Sequence, residues 1–169
     1  QPWCEPFRQL LAHSRVKPYL DGILGEGYRL DHGPGLIAMD KGCEGGTLHG
    51  GGVERSDLSE TYFFKNDRIY TGLTVVEYLL ADEGPGDGGV AVIPGSHKSC
   101  YPMPHSVRTC NERAPIRHIP MRAGSVLFFL GGTVGHGAYR WEAESPRRTA
   151  LFTYGHDGRR PFAWPTSEL

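Results

Sequence analysis

Leu73-Thr74-Val75-Val76-Glu77-Tyr78-Leu79-Leu80, then Gly84-Pro85-Gly86-Asp87-Gly88-Gly89, then Val90-Ala91-Val92-Ile93: two short apolar runs flank a glycine-rich break. β-Branched and aromatic side chains suit a pleated, half-buried surface, and glycine with proline interrupts it, so the stretch reads as strand, hairpin connection, strand. The same pattern recurs on both sides, at Tyr28–Leu30, Leu36–Met39, Val126–Leu130 and Ala150–Tyr154. Only the beginning differs. Leu10, Leu11, His13, Val16, Tyr19, Leu20 and Ile23 return at three- and four-residue steps and stop at Gly25, the spacing of one amphipathic helix. Many short strands with Gly/Pro turns predict a mainly β sandwich or barrel with a helix packed outside.

Composition narrows the function classes. At 169 residues the chain fits a single domain, 1–169, without an internal repeat or linker-like break. Lys+Arg (18) and Asp+Glu (19) nearly cancel, which argues against a nucleic-acid partner, because such a partner needs a basic face to displace counterions. The longest apolar run, Val126–Leu130, is far short of the ~18–20 residues of a membrane span. No basic, apolar, small-residue signal opens the chain, so a soluble cytoplasmic protein is expected. Cys4, Cys43, Cys100 and Cys110 are scattered, without a Cys-x-x-Cys pair, and are expected to be reduced, structural thiols.

Chemistry is carried by histidine and arginine. Of eight histidines, His13, His105, His118 and His156 read as surface or structural, and His97, after Pro94-Gly95-Ser96, as a turn residue. His49 and His136 stand apart because glycines frame both, in Leu48-His49-Gly50-Gly51-Gly52 and Gly135-His136-Gly137. Glycine lets backbone or a ligand approach closely. His49 follows one strand, His136 ends the strand Val126–Leu130, and Arg147 enters the last strand 11 residues later. Two neutral imidazoles suit a divalent transition metal such as iron. An arginine beside them offers a planar fork for a carboxylate. The plainer alternative for Arg147 is an exposed ion pair with Glu142 or Glu144.

Three motifs give these residues a family likeness. Gly84–Lys98 ends in Val90-Ala91-Val92-Ile93-Pro94-Gly95-Ser96-His97-Lys98; Ala123–Phe129 is followed by Gly135-His136-Gly137; and Pro146-Arg147-Arg148-Thr149-Ala150-Leu151 comes last. In this order, over roughly residues 10–157, the chain resembles the phytanoyl-CoA dioxygenase-like, iron(II)- and 2-oxoglutarate-dependent oxygenases. The resemblance implies a double-stranded β-helix, a jelly-roll or cupin-like barrel, with iron at its open end and a short N-terminal part relative to the family. It implies His49 and His136 as iron ligands and Arg147 as the anchor for the far carboxylate of 2-oxoglutarate. Arg148 takes that role if the strand shifts by one residue, since a one-residue slip turns the other face inward.

Two departures follow. The family's His-x-Asp stands here as His49-Gly50-Gly51, and Ala138 replaces a hydroxyl that commonly helps bind 2-oxoglutarate. Residue 51 shares a strand face with residue 49, so a glycine there withholds the expected carboxylate. Three readings result. The leading one is an oxygenase that hydroxylates an aliphatic C–H, with Glu54, Asp57, Glu77 or water in the gap; Glu54 and Glu77 otherwise read as solvent-facing. The second, by resemblance to the iron halogenases of this superfamily, binds chloride at the gap left by Gly51. The third is a degenerate ligand-binding domain, with Arg147 engaged internally. The loop from Tyr101 to Arg117 reads as a solvated charged segment, although Arg108, Arg113 and Arg117 also suit an anionic, acyl-carrier- or CoA-linked small substrate. Trp141-Glu142 and Trp164 read as closing the barrel edge.

Overall fold

Residues 4–50, 61–99, 101–108, 115–130 and 134–156 are described by the computed structural model. Gly51, Glu54, Asp57, Cys100, Cys110, Arg113 and Trp164 lie outside them. The chain begins with two helices, α1 (Glu5–Leu11) and α2 (Lys17–Leu24), where the periodicity predicts one. Pro18 accounts for the break. It lacks the N–H that a continuous helix would use and sits in the first turn of α2, where that donor is not needed. Gly25, at φ 85°, ends α2 as expected.

Among the described residues nine strands follow: β1 (Arg29–Met39), β2 (Tyr62–Lys65), β3 (Arg68–Thr71), β4 (Leu73–Leu79), β5 (Gly89–Val92), β6 (Arg117–His118), β7 (Val126–Leu130), β8 (His136–Tyr139) and β9 (Arg147–Gly155). They form a four-stranded sheet in the order β1-β9-β4-β7, a three-stranded sheet β6-β5-β8, and a β2-β3 ribbon. Every named pairing is antiparallel. The expected jelly-roll class is borne out. The two runs predicted at 28–30 and 36–39 merge into one strand, β1, which begins at Arg29 and whose register shifts on either side of His32.

The stretch 84–89 is not a hairpin. β4 and β5 lie in different sheets, so the glycine-rich segment is a crossover between them. Its glycines serve close approach: a Cβ on Gly88 would stand 1.9 Å from the Arg140 carbonyl oxygen. The Asp87 carboxylate accepts the Gly84 N–H at 2.7 Å, and the Asp87 carbonyl accepts the Glu142 N–H at 2.8 Å. These bonds close the crossover onto the segment leaving β8.

The large sheet is covered on both faces. Val76 and Tyr78 of β4, with Ala150, Phe152 and Tyr154 of β9, pack against Val16, Leu20 and Leu24 around α2. The alternate residues Val75, Glu77, Leu151 and Thr153 face a cavity on the other side. This settles the register of β4, which alternation leaves open. The Tyr78 and Tyr154 hydroxyls donate to the Leu10 and Leu11 carbonyls, each at 2.8 Å, satisfying acceptors that the end of α1 leaves without helical partners. Burial pushes the Tyr78 phenol up to about 12, so it stays a donor across the physiological range. Cys4 and Cys43 are free thiols, and both are exposed rather than packed as structural residues. Among the described residues no helix is long and apolar enough to cross a membrane.

Phe152 is fully buried where β9 meets the helices. Its replacement in Phe152→Ala is expected to cost about 3–5 kcal/mol of unfolding free energy in chemical denaturation, from lost burial and the cavity left behind.

Candidate functional site

The site is assembled from the edge of the small sheet. His136 opens β8 rather than ending β7. Two devices hold it there. The Ser96 hydroxyl accepts the Gly135 N–H at 2.7 Å while donating to the Ile93 carbonyl at 2.6 Å, and the Ile93 N–H donates to the Gly135 carbonyl at 2.7 Å. The Pro94-Gly95-Ser96 turn therefore fixes the residue before His136. Glycines then admit the neighbouring chain. A Cβ on Gly137 would meet the Gly46 carbonyl at 3.1 Å and the Thr47 carbonyl at 3.2 Å, and one on Gly45 would stand 1.9 Å from the Ala138 carbonyl oxygen. The glycine framing serves the approach of backbone.

His49 and His136 face each other across an antiparallel bridge. The His49 N–H donates to the His136 carbonyl at 2.8 Å, and the His136 N–H returns the bond at 2.9 Å. Directly opposed residues project to the same side, and the two ring centroids are 4.2 Å apart. Phe129 of β7 lies against the other side of His136, with centroids 4.7 Å apart. Each imidazole donates Nδ1–H to a carbonyl two residues back: His49 to Thr47 at 3.1 Å and His136 to Val134 at 2.7 Å. A carbonyl can only accept, so Nδ1 carries hydrogen on both rings and Nε2 is the nitrogen that a neutral ring offers to a metal. Burial, with a further contribution from His49, lowers His136 to about 4, which keeps the ring neutral near pH 7. Two imidazoles so oriented on one cavity wall are, in their neutral forms, a fitting donor pair for a divalent transition metal.

That wall belongs to a cavity of about 540 Å³ between the sheets. Leu36, Ile37, Met39, Val75, Val90 and Leu151 give it an apolar lining, and Arg147 and Glu77 bring charge into it. Arg147 is only 2% exposed. Its Nε donates to Glu83 Oε1 at 2.5 Å and its Nη2 to Glu77 Oε1 at 2.9 Å. Nη1 lies 3.8 Å from the Met39 sulfur, a weak acceptor that leaves most of this donor's capacity unused. Arg148, one residue on, points out of the barrel, donating to the Arg147 carbonyl at 2.8 Å and lying 3.7 Å from Asp40. Glu142 and Glu144, the alternative partners for Arg147, pair instead with Arg140 and Lys41.

Glu77 corrects its solvent-facing reading, for it is only 2% exposed. Burial raises its pKa, and Arg147 pulls it back in part. Among the described residues no third His, Cys, Asp or Glu joins the histidine pair as a metal-binding group. Glu77 is held by Arg147, while residue 51 and the nearby Glu54 and Asp57 lie outside the described residues. Glu83 was not among the sequence candidates. It sits in a loop before Gly84-Pro85, where no periodicity reports burial.

The remaining candidates have local duties. The Leu48 N–H donates to the Arg108 carbonyl at 2.7 Å, tying the 101–108 loop to the His49 segment, and Arg117 on β6 is exposed. Trp141 is fully buried and donates Nε1–H to the Ser145 carbonyl at 2.8 Å, closing the barrel beside residues 42–43. His97 stacks edge-on to Tyr62, and His156 donates to the Thr71 carbonyl.

The family model for phytanoyl-CoA dioxygenase matches residues 49–149. No curated protein matches the chain. Among solved structures, HygX from Streptomyces hygroscopicus, with nickel, 2-oxoglutarate and hygromycin B bound, is 22% identical with a TM-score of 0.79, over 95% of this chain and 68% of that one. AviO1 from Streptomyces viridochromogenes is 20% identical with a TM-score of 0.65, over 96% of this chain and 66% of that one. The non-heme α-ketoglutarate-dependent epimerase SnoN from nogalamycin biosynthesis is 18% identical with a TM-score of 0.64, over 90% and 59%. These likenesses are of fold.

Two stability measurements check the electrostatics of the site. Removing the guanidinium in Arg147→Ala strands two buried carboxylates and is expected to cost about 3–5 kcal/mol, against about 0.5 kcal/mol or less for Arg148→Ala. For the metal-free protein, the unfolded chain takes a proton on residue 136 between pH 6.5 and about 4 that the folded state refuses. Stability therefore falls as pH drops through that window, and His136→Gln is expected to remove up to about 3 kcal/mol of the loss in denaturation curves recorded across it.

Proposed function

Because the chain belongs to the phytanoyl-CoA dioxygenase family, we propose that it is an iron(II)- and 2-oxoglutarate-dependent oxygenase that hydroxylates an aliphatic C–H of a small organic substrate. The observation that carries this reading is the pair of facing imidazoles, each oriented through Nδ1 by a backbone carbonyl so that Nε2 is the atom left to bind, on the wall of a cavity that also holds a buried arginine. HygX, of like fold, is seen with iron, and with nickel and 2-oxoglutarate.

In this reading His49 and His136 hold the metal through Nε2. Arg147 receives the far carboxylate of 2-oxoglutarate through Nη1 and fixes its direction, with Glu83 holding Nε so that the guanidinium cannot turn away. Bound iron and 2-oxoglutarate supply the oxygen activation and hydrogen abstraction that no side chain provides. The apolar lining, from Leu36, Ile37, Val75 and Leu151, excludes water and presents a hydrocarbon surface to the substrate. The free thiols of Cys4 and Cys43 accord with a reducing, cytoplasmic setting. An acyl-carrier- or CoA-linked substrate would meet Arg108 and Arg117 outside the cavity.

Two other readings each have one observation in their favour. Gly51 favours a halogenase, in which chloride takes the position the family gives to a carboxylate. The engagement of Arg147 with Glu77 and Glu83 favours a domain that binds ligands without turnover.

Anaerobic absorption spectroscopy separates the three. Adding 2-oxoglutarate to protein with iron(II) is expected to produce a visible charge-transfer band, absent in His136→Ala. Its appearance should require far more 2-oxoglutarate in Arg147→Ala than in Arg148→Ala. A shift of the band by chloride would move the halogenase reading ahead, and the absence of any band would favour the non-catalytic domain. In air, iron-dependent conversion of 2-oxoglutarate to succinate that is lost in His136→Ala would reject the non-catalytic reading.

A further inference from the structure

The Arg147 cluster contains one cation and two carboxylates, all buried, and this imbalance bears on how a further carboxylate could enter. Glu83 is the fixed counterion. Its Oε1 accepts Arg147 Nε at 2.5 Å, its Oε2 accepts the Val90 N–H at 3.2 Å, and its side chain is 0% exposed. Both of its oxygens are committed. Glu77 differs: it lines the cavity, and its bond to the guanidinium is a single one, to Nη2 at 2.9 Å.

The groups around Glu77 offer little further compensation. From β9 come Arg147 and the hydroxyl of Thr149, and from the crossover comes Glu83. β7 contributes its cross-strand partner Leu127 and the nearby Phe129, and β1 contributes Met39. His49 and His136 line the same cavity, and the exposed His32 and Glu44 mark its solvent end. Among the described residues, Arg147 is therefore the cation that serves both acids.

Resting on the oxygenase reading, we propose that 2-oxoglutarate binds together with one proton, which Glu77 takes up, so that Glu77 meets the co-substrate carboxylate as a neutral acid. A third carboxylate beside one guanidinium would place three negative charges around one positive in a water-poor pocket. Like-charged acids sharing such a site retain a proton between them. Protonation of Glu77 from solvent relieves the repulsion and releases Arg147 Nη2. Nη1 and Nη2 can then present a two-pronged face to the incoming carboxylate while Glu83 keeps Nε. The Glu77 O–H becomes a donor to the same carboxylate. Burial already biases Glu77 toward the neutral form.

Calorimetric titration of 2-oxoglutarate into the nickel(II)-loaded protein, which binds without turnover, tests this. Repeating the titration at about pH 7.5 in buffers of different ionisation enthalpy counts protons. The wild-type protein is expected to take up close to one proton per 2-oxoglutarate, with affinity weakening about tenfold per pH unit on the alkaline side. Glu77→Gln, which keeps an N–H donor and carries no charge, is expected to bind at least as tightly, with no uptake and a flat pH profile. Binding by the wild-type protein without proton uptake overturns the proposal and leaves the oxygenase reading standing, whether or not Glu77→Gln folds. Glu77→Gln binding that keeps the uptake also overturns it, because the proton then resides elsewhere. Failure of the metal-loaded wild-type protein to bind 2-oxoglutarate overturns both.

Discussion

β9 runs through the middle of the large sheet, hydrogen-bonded to β1 on one side and β4 on the other. A strand in the middle of a sheet has its backbone groups taken up on both sides, so only its two faces remain to carry information. Here one face, Ala150, Phe152 and Tyr154, packs on the helices, and the other, Arg147, Leu151 and Thr153, lines the cavity. The period of two makes these assignments a single decision. A slip of one residue would send Arg148 inward, Arg147 to solvent, and the aromatic residues away from α2. The hydrophobic core thus holds the polar site in register.

A buried arginine needs partners, and β4 and the crossover supply them. Glu77 pairs in register with Leu151 of β9, on the same face as Arg147, and Glu83 pairs by backbone with Met121 as the chain leaves for the other sheet. The buried ion cluster therefore joins the large sheet to the crossover that leads to β5. At the opposite wall the forces are gentler. Backbone bonds pair His49 with His136, two carbonyls set their tautomers, and Phe129 backs one ring. The histidine wall is arranged largely by hydrogen bonds to the main chain, with the Ser96 hydroxyl as the side chain that joins them.

Much of this was legible without coordinates. The alternating runs announced strands, Gly25 ended a helix, and Gly137 beside His136 marked a place where chains approach. The misreadings have local causes. Pro18 split a helix whose apolar spacing was continuous across it. The 84–89 segment has the composition of a hairpin turn, but composition does not say whether the strands it joins share a sheet. Glu77 interrupts an apolar run in which both faces are buried, and alternation cannot choose a face when both are apolar.

The class of fold, and His49, His136 and the arginine eleven residues beyond as candidates, were readable from the chain alone, because strand periodicity and family motifs are short-range patterns written in consecutive residues. That His49 and His136 exchange both backbone bonds, and that Arg147 is shared by Glu77 and Glu83, emerges with the folded chain. Those pairings join residues 64 to 87 positions apart, so they come from the closure of the sheets upon each other. No local pattern encodes which buried acid will meet which buried base; the low dielectric of the interior imposes the pairing once the backbone has brought them together.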